Sequence, residues 1–278
     1  MSNKYFICFD MDGTLLNNKQ KISFLTKQYL RRLHKKGHTI VLASGRPYRE
    51  MKRYYDELKL NSPIVCLGGC HYFSPFDQDF PNYEFSFDRK VAIEIVAELL
   101  KIGAIDNAFC ENNEHIWVHH RDPELINFFW KTTGNENIIY GPFEKTLTIN
   151  PTSLLLETKN KDREKEIETV IKKYKTLNVR FWFGGHYSEI YFDGFNKASA
   201  LEKIAQYYGI DKSHTIAFGD QHNDIEMLKW AKIGVAMKNA TAELKSYADY
   251  VTTKDNNHNG IYFELKDIFK KIRKKQLF

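Results

Sequence analysis

Four polar clusters interrupt otherwise apolar stretches of this 278-residue sequence, and their residue types suit an anionic group and a hard cation. Asp10-Met11-Asp12-Gly13-Thr14 sets two carboxylates one residue apart, directly after the apolar run Tyr5-Phe6-Ile7-Cys8-Phe9. Carboxylates leaving a buried run are poor core material, and Gly13 frees the chain to turn sharply. An Asx-rich turn presents the same pair, so the weight lies in the strand-like run before it and Gly-Thr-Leu after it. Ser44-Gly45-Arg46 offers a hydroxyl and backbone N–H groups to a phosphoryl oxygen, and equally reads as a helix N-cap. Arg46 fits a substrate contact or one half of a structural ion pair. Lys197 is an isolated lysine near a helix start, a place where such a side chain is usually solvated. Gly219-Asp220-Gln221-His222-Asn223-Asp224 gathers two acids and two amides, oxygen donors suited to magnesium, although a capped helix start looks similar. His222 is expected to face substrate or solvent, since imidazole prefers softer metals.

The elements around these clusters decide whether they meet. Residues 5–9 form a continuous apolar run, as a strand buried on both faces requires. Residues 23–36 place Leu25, Tyr29, Leu30 and Leu33 at helical spacing, with Gly37 as a stop. Residues 39–43 read as a strand, 49–60 as a helix and 64–67 as a third strand before Gly68-Gly69. The same alternation returns late, with helices over 199–208 and 224–231 and strands over 215–218, 233–237 and 250–252. Strand–helix–strand repetition implies a parallel sheet, and ligands of such sheets bind beyond the carboxyl ends of the strands. The first, second and fourth clusters follow strands directly, and Lys197 begins the helix that re-enters this region.

The middle of the chain has a different grammar. A loop-like stretch over 73–87 carries Pro75 and Pro81. Beyond it lie a helix (89–101), strands (115–119, 153–158 and 179–183) and a charged helix (161–174). The fold expected is therefore α/β: a Rossmann-like parallel-sheet core made of residues 1–81 and 190–278, with an α+β module inserted over 82–189. His115 and His119 flank Ile116-Trp117-Val118, a strand pattern that separates the two imidazoles, so both are assigned to packing or solvent.

Composition narrows the class. Hydrophobic residues at 42% and charged residues at 27% are ordinary for a globular chain, and 20 Phe with 16 Tyr argue against disorder. The net charge of +6 is spread along the chain, with one dense run at 270–275. Cations suit a helix C-terminus, so that run is assigned to a solvated last turn, and no specific nucleic-acid partner is expected. Four cysteines in this length make no disulfide framework, and Cys66 and Cys70 lack the second pair of a zinc site. No apolar run approaches the ~20 residues of a membrane span, and no signal-peptide pattern is present, which points to a cytoplasmic protein.

Taken in order, the clusters resemble those of the haloacid dehalogenase superfamily, specifically its Cof-type phosphatases with a large α/β cap. The matching text is FDMDGTLL (9–16), LASGRP (42–47), FNKASAL (195–201) and GDQHNDIEML (219–228), continuing through GVAMKNATAELKSYADYVT (234–252) and Asn259-Gly260-Ile261. The resemblance covers the sheet domain and the insertion point; within the insertion it is architectural. It implies that Asp10 is the nucleophile and Asp12 the general acid/base. Ser44, Gly45, Arg46, Lys197 and Asn223 are implied contacts of the phosphoryl group or substrate. Mg²⁺ is implied on Asp10, the Asp12 backbone carbonyl and Asp220, with Asp224 supporting either the metal shell or Lys197. The implied activity is magnesium-dependent hydrolysis of small phosphate monoesters such as sugar phosphates or pyridoxal phosphate. A dication and an ammonium group would relieve the repulsion between a carboxylate and a phosphate dianion.

Two departures stand out: Gly68-Gly69 where relatives usually carry Asn-Gly, and Ala198 where Gly is common. Two other functions fit parts of the pattern. A phosphomutase or dedicated sugar-phosphate phosphatase needs further phosphate contacts, for which Arg89, Arg121, Arg163 and Arg180 are the inserted module's candidates. An inactive phosphometabolite-binding module would not need all four clusters intact. The sequence carries no expectation for oligomeric state.

Overall fold

The computed structural model describes residues 4–124, 137–158, 161–182 and 186–274. Five parallel strands form the first sheet, in the spatial order Tyr250–Val251, Ile233–Ala236, Thr215–Gly219, Phe6–Phe9, Thr39–Leu42. The first strand is wholly buried, which is why its sequence runs apolar without alternation. Its register decides the site. Phe9 lies opposite both Leu42 and Phe218, and Gly219 lies opposite Ala236. The residues that follow these strands therefore leave the sheet side by side.

Helices start where the chain offers caps. Phe24–Lys35 begins after Ser23, whose hydroxyl accepts from the Thr26 N–H, and it buries Leu30 and Leu33. Past its end, Gly37 takes a φ of 84°, a left-handed conformation suited to glycine. Lys197–Tyr207 begins with a reciprocal capping box between Asn196 and Ser199 and buries Ala200, Leu201 and Ile204. Fold class thus follows the expectation from the sequence: a parallel-sheet core with a further α+β unit.

The chain divides into two compact units, one of Met1–Arg46, Met51–Tyr83 and Asn196–Phe278, the other of Pro47–Glu50 and Glu84–Phe195. The second contains a six-stranded sheet, ordered Leu177–Phe181, Tyr187–Phe192, Ser153–Glu157, Asn107–Glu111, Ile116–Val118, Ile138–Tyr140. On one face Leu154, Leu156, Ala108, Cys110 and Trp117 pack with Ile95 and Leu99 of the helix Arg89–Lys101 and Ile167 and Val170 of Glu164–Ile171. Alternation sends Phe109, Ile116, Val118 and Leu155 to the opposite face, beside Trp182 and Tyr187.

Several elements depart from the sequence reading. The loop-like stretch over 73–87 contributes to a small separate sheet, in which His71–Phe73 is the central strand between Ile64–Cys66 and the edge strand Tyr83–Glu84. Ile64–Cys66, expected as a third parallel strand, pairs antiparallel with His71–Phe73 and meets the core sheet through a parallel bridge between Ala43 and Val65. Strands Asn107–Glu111, Ile138–Tyr140 and Tyr187–Phe192 were not anticipated; Asn107 and Glu111 shorten the apolar run of the first to three residues, and Ser188 and Glu189 interrupt the last. The strand expected over 179–183 runs Leu177–Phe181, and residue 183 lies outside the described residues. Lys270, Lys271 and Arg273 do occupy the last turn of the helix Gly260–Arg273, while Lys275 lies outside the described residues. Among the described residues no helix is long and apolar enough to cross a membrane.

One buried base gives this core an acid sensitivity. His38 Nδ1 accepts the Tyr5 backbone N–H at 3.0 Å, a role open only to an unprotonated ring nitrogen. Burial, with Lys4 and Lys36 adding repulsion, pulls its pKa from 6.5 down to about 4. The folded state therefore binds fewer protons than the unfolded state between these values, and stability falls as pH drops from 6.5 towards 4. His38→Gln keeps an acceptor without the titration. Thermal melts between pH 7 and 4 should show wild type losing more melting temperature on acidification than this variant.

Candidate active site

The side-by-side strand ends bring Asp10, Ser44 and Asp220 to one edge of the sheet, and the helix start at Asn196 delivers Lys197 into the same place. Lys197 Nζ lies 2.6 Å from Asp10 Oδ1 and 2.7 Å from Asp224 Oδ1, and its side chain is only 1% exposed. Lys197 is therefore not the solvated lysine that a position near a helix start usually carries. An unpaired buried ammonium would be very costly; two charge-assisted hydrogen bonds are what make this burial tolerable.

Asp224 is fully committed to its neighbours. Its Oδ1 takes Lys197, and its Oδ2 accepts the backbone N–H groups of Asp220 at 3.0 Å and Gln221 at 3.1 Å. Its Oδ1 thus supports Lys197, while its place beside Asp10 and Asp220 keeps it in the same carboxylate cluster. Asp220 is steadied differently, with Oδ1 accepting from Thr14 Oγ1 at 2.8 Å and Oδ2 from Gln221 Nε2 at 3.3 Å. Oxygens of Asp10, Asp220 and Asp224 all lie within 4.8 Å of one another, a buried, all-carboxylate donor set of the hard kind that suits magnesium. Cys66 and Cys70 are both buried in the small sheet's vicinity, and burial pushes the Cys66 thiol up, as for an inert thiol.

Charge balance defines the electrostatics. Three buried carboxylates face one ammonium, leaving negative charge in excess. Burial raises the Asp10 carboxyl well above its usual range, opposed by Lys197 and reinforced by Asp224 and Asp220. Burial and Asp224 push Asp220 up to about 6. For Lys197, burial acts downward, yet Asp10 and Asp224 outweigh it and hold the ammonium charged. Asp10 and Asp220 are thus hard to ionise together until another cation arrives.

Glycines make the close approaches possible. A Cβ on Gly13 would lie 2.2 Å from Asp220 Oδ2, and its φ is 77°. Gly69 has φ 107°, and a Cβ there would meet the Asn196 carbonyl oxygen at 2.3 Å. Gly69, the glycine that the usual Asn-Gly also carries, thus lets the loop press against the backbone that launches Lys197.

The remaining expected residues are placed as follows. Ser44 is buried at 2% exposure with its hydroxyl accepting the Arg46 N–H at 3.2 Å, and Gly45 is exposed. Asn223 is half-buried in the turn His222–Asp224, and His222 pairs with Glu243 on the surface. Arg46 does not stand apart for substrate; its guanidinium grips both oxygens of Asp12 at 2.6 Å, which is the ion-pair reading of that residue. His119 is buried with Nδ1 accepting the Phe143 N–H, and His115 lies at the other end of the strand Ile116–Val118. Thr14, Gln20, Gly69 and Gln221 were missed as contributors. Thr14 lies within the first motif, but its contact with Asp220 crosses the chain and no local spacing announces it; Gln221 lies within the fourth and bonds its own neighbours Asp220 and Asp224.

Parallel strand ends that carry an acid pair, a serine and a second acid pair, joined by a lysine from a helix start, make this an α/β protein with a buried, carboxylate-rich site at its sheet edge. Comparison with known proteins places it further: residues 7–265 match the haloacid dehalogenase-like hydrolase family, and the chain belongs to that family as a Cof-type phosphatase. It is 34% identical over 275 residues to the 5-amino-6-(5-phospho-D-ribitylamino)uracil phosphatase YitU of Bacillus subtilis (strain 168), covering 95% of this chain and 97% of that protein. It is 28% identical over 246 residues to YcsE of the same strain, also a 5-amino-6-(5-phospho-D-ribitylamino)uracil phosphatase, covering 88% of each. A crystal structure of a haloacid dehalogenase-like hydrolase from Bacteroides thetaiotaomicron superposes with a TM-score of 0.80 at 25% identity, over 96% of this chain and all of that one.

The charge excess makes a stability prediction. Because the folded pKa of Asp10 is raised, the folded state binds more protons than the unfolded one, and this contribution is lost as pH rises above 3.8. In chelator, wild type should lose more melting temperature than Asp10→Asn between pH 4 and pH 8. Calorimetry across that range checks the sign, and an equal or larger loss in the variant contradicts it.

Proposed function

We propose that this phosphatase hydrolyses phosphate monoesters of small metabolites through an aspartyl-phosphate on Asp10, with magnesium as cofactor. The observation that carries the reading is the buried Lys197 bridging Asp10 and Asp224 beside Asp220, an anionic cluster with one ammonium already in place. Asp10, the Asp12 carbonyl and Asp220 would hold Mg²⁺, which when bound supplies charge neutralisation for a phosphoryl group approaching carboxylates.

In the first step an Asp10 carboxylate oxygen attacks phosphorus. The bond from phosphorus to the leaving oxygen breaks while the Asp12 carboxyl gives that oxygen a proton, yielding the alcohol and the aspartyl-phosphate. Asp12, now a carboxylate, takes a proton from water, whose oxygen attacks phosphorus in turn. The bond from phosphorus to Asp10 breaks, and inorganic phosphate leaves. Lys197 steadies Asp10 and the equatorial oxygens, while the Ser44 hydroxyl, the Gly45 N–H and Asn223 donate to the same oxygens. Asp224 orients Lys197.

Substrate choice is assigned to the inserted segment 82–189, because the sheet-edge residues recognise only the phosphoryl group. The sheet face of that unit opposite its helices carries Trp182, Tyr187 and the Arg180–Glu189 pair, whose charges lie 3.6 Å apart, with Arg180 4.7 Å above the Tyr191 ring. Rings and paired charges of this kind suit a polar heterocyclic or sugar-like leaving group. The relatives named for 5-amino-6-(5-phospho-D-ribitylamino)uracil put that compound on the panel of substrates. A mutase-like second phosphate site has less support: Arg163 is spent on Glu166, Arg121 stacks over Tyr140 and Arg180 is paired.

Asp10→Asn should abolish turnover with the fold retained, and excess chelator should silence wild type until Mg²⁺ is restored. Near wild-type hydrolysis by purified Asp10→Asn, or full activity in chelator, overturns the mechanism. For the inserted segment, Arg180→Met and Tyr187→Leu should reorder kcat/KM across a panel of phosphorylated metabolites by about tenfold while leaving phosphoenzyme formation from p-nitrophenyl phosphate near wild type. An unchanged ranking would move specificity to the sheet-domain loops.

A further inference from the structure

We infer that Arg46 and Gln20 form a positioning pair that fixes the Asp12 carboxylate for proton transfer, an inference that rests on the role given to Asp12 above. Asp12 is the one member of the acid clusters with substantial exposure, its side chain 46% accessible, so packing does not fix its rotamer. Arg46 does so instead. Its Nε donates to Asp12 Oδ2 and one terminal nitrogen to Oδ1, each at 2.6 Å, a fork that sets the carboxylate plane as well as its distance. The same terminal nitrogen donates to Gln20 Oε1 at 2.7 Å. The guanidinium is thereby held from two sides.

Gln20 is itself placed by a built turn. Asn17 Oδ1 accepts the N–H groups of Lys19 and Lys21, and the Gln20 N–H donates to the Asn17 carbonyl at 2.8 Å. Gln20 adopts a φ of 56°, unusual for a residue with a side chain, and the hydroxyl of buried Tyr54 donates to its carbonyl at 3.0 Å. At the other end, Arg46 is anchored by its N–H to Ser44 Oγ and by its carbonyl, which accepts from Leu67 N at 3.0 Å. One residue therefore links the proposed phosphate-binding hydroxyl to the proposed acid/base. Lysine keeps the charge but cannot reproduce a fork with three directed donors.

The test is phosphoenzyme formation in the Mg²⁺-loaded enzyme by rapid quench, with an alkyl phosphate and with p-nitrophenyl phosphate. A poor alkoxide leaving group needs the proton from Asp12, whereas nitrophenolate hardly does. Arg46→Lys and Arg46→Gln should slow formation from the alkyl ester by roughly ten- to a hundredfold, part of the range general acid catalysis supplies, with p-nitrophenyl phosphate changed by less than about threefold. Gln20→Met, at a partly exposed site, should give a smaller loss of the same selectivity, and adding it to Arg46→Gln should cost nothing further. Equal losses on both esters mean a structural role and overturn the inference, as do wild-type rates on the alkyl ester in Gln20→Met and Arg46→Lys. Asp12→Asn run alongside separates the two readings. If it forms phosphoenzyme from the alkyl ester at the wild-type rate, the role of Asp12 fails; if it is impaired while the Arg46 and Gln20 variants are not, only the positioning fails.

Discussion

The ammonium of Lys197, buried between Asp10 and Asp224, is the interaction on which the rest of this site depends. It is tolerable in the interior only because two carboxylates are delivered to it at hydrogen-bonding distance. Each delivery has its own support. The capping box at Asn196 fixes the helix start, Gly69 lets the neighbouring loop close on that backbone, and the N–H groups of Asp220 and Gln221 hold the far oxygen of Asp224. A side chain that reached the same place from a less constrained start would carry the same charge without the same address.

That requirement reaches back into the sheet. Asp10 and Asp220 leave adjacent parallel strands whose register aligns Phe9 with Phe218, so the two acids emerge at neighbouring strand ends, Asp220 one residue further along. A register slip of one residue would send each acid to the other face of its strand and separate the cluster. The unbroken burial of Phe6–Phe9 and Thr215–Gly219 resists such a slip. The hydrophobic core here is therefore also the positioning device of the polar site.

Much of this was legible in the sequence, and unevenly so. Buried parallel strands write themselves as apolar runs, and the polar residues that follow them mark the sheet edge, so Asp10, Ser44 and Asp220 could be placed from pattern alone. Lys197 could not, since nothing local distinguishes a buried lysine from a solvated one; its identity came from resemblance and its burial from the structure. In the inserted unit Asn107 and Glu111 share a strand face with Phe109, and Ser188 and Glu189 break up Tyr187–Phe192, which hides strands that pair with partners far along the chain. The grip of Arg46 on Asp12 spans 34 positions and that on Gln20 spans 26, and no periodicity encodes either.

The excess of negative charge ties stability to occupancy. Three buried carboxylates against one ammonium are a standing cost to the metal-free fold, the kind of local disadvantage that functional sites retain because the surrounding core tolerates it. A cation that binds the folded cluster and ignores the unfolded chain returns stability in proportion to the logarithm of its concentration over its Kd, about 2.7 kcal/mol at a hundredfold excess. A phosphate dianion gains no such welcome on its own, because it would add charge of the sign already in surplus. Binding of the two should then be cooperative, the cation lowering the electrostatic barrier to the anion and the anion adding attraction for the cation. Linkage makes that coupling reciprocal, so the affinity for one must rise with occupancy by the other to the same degree.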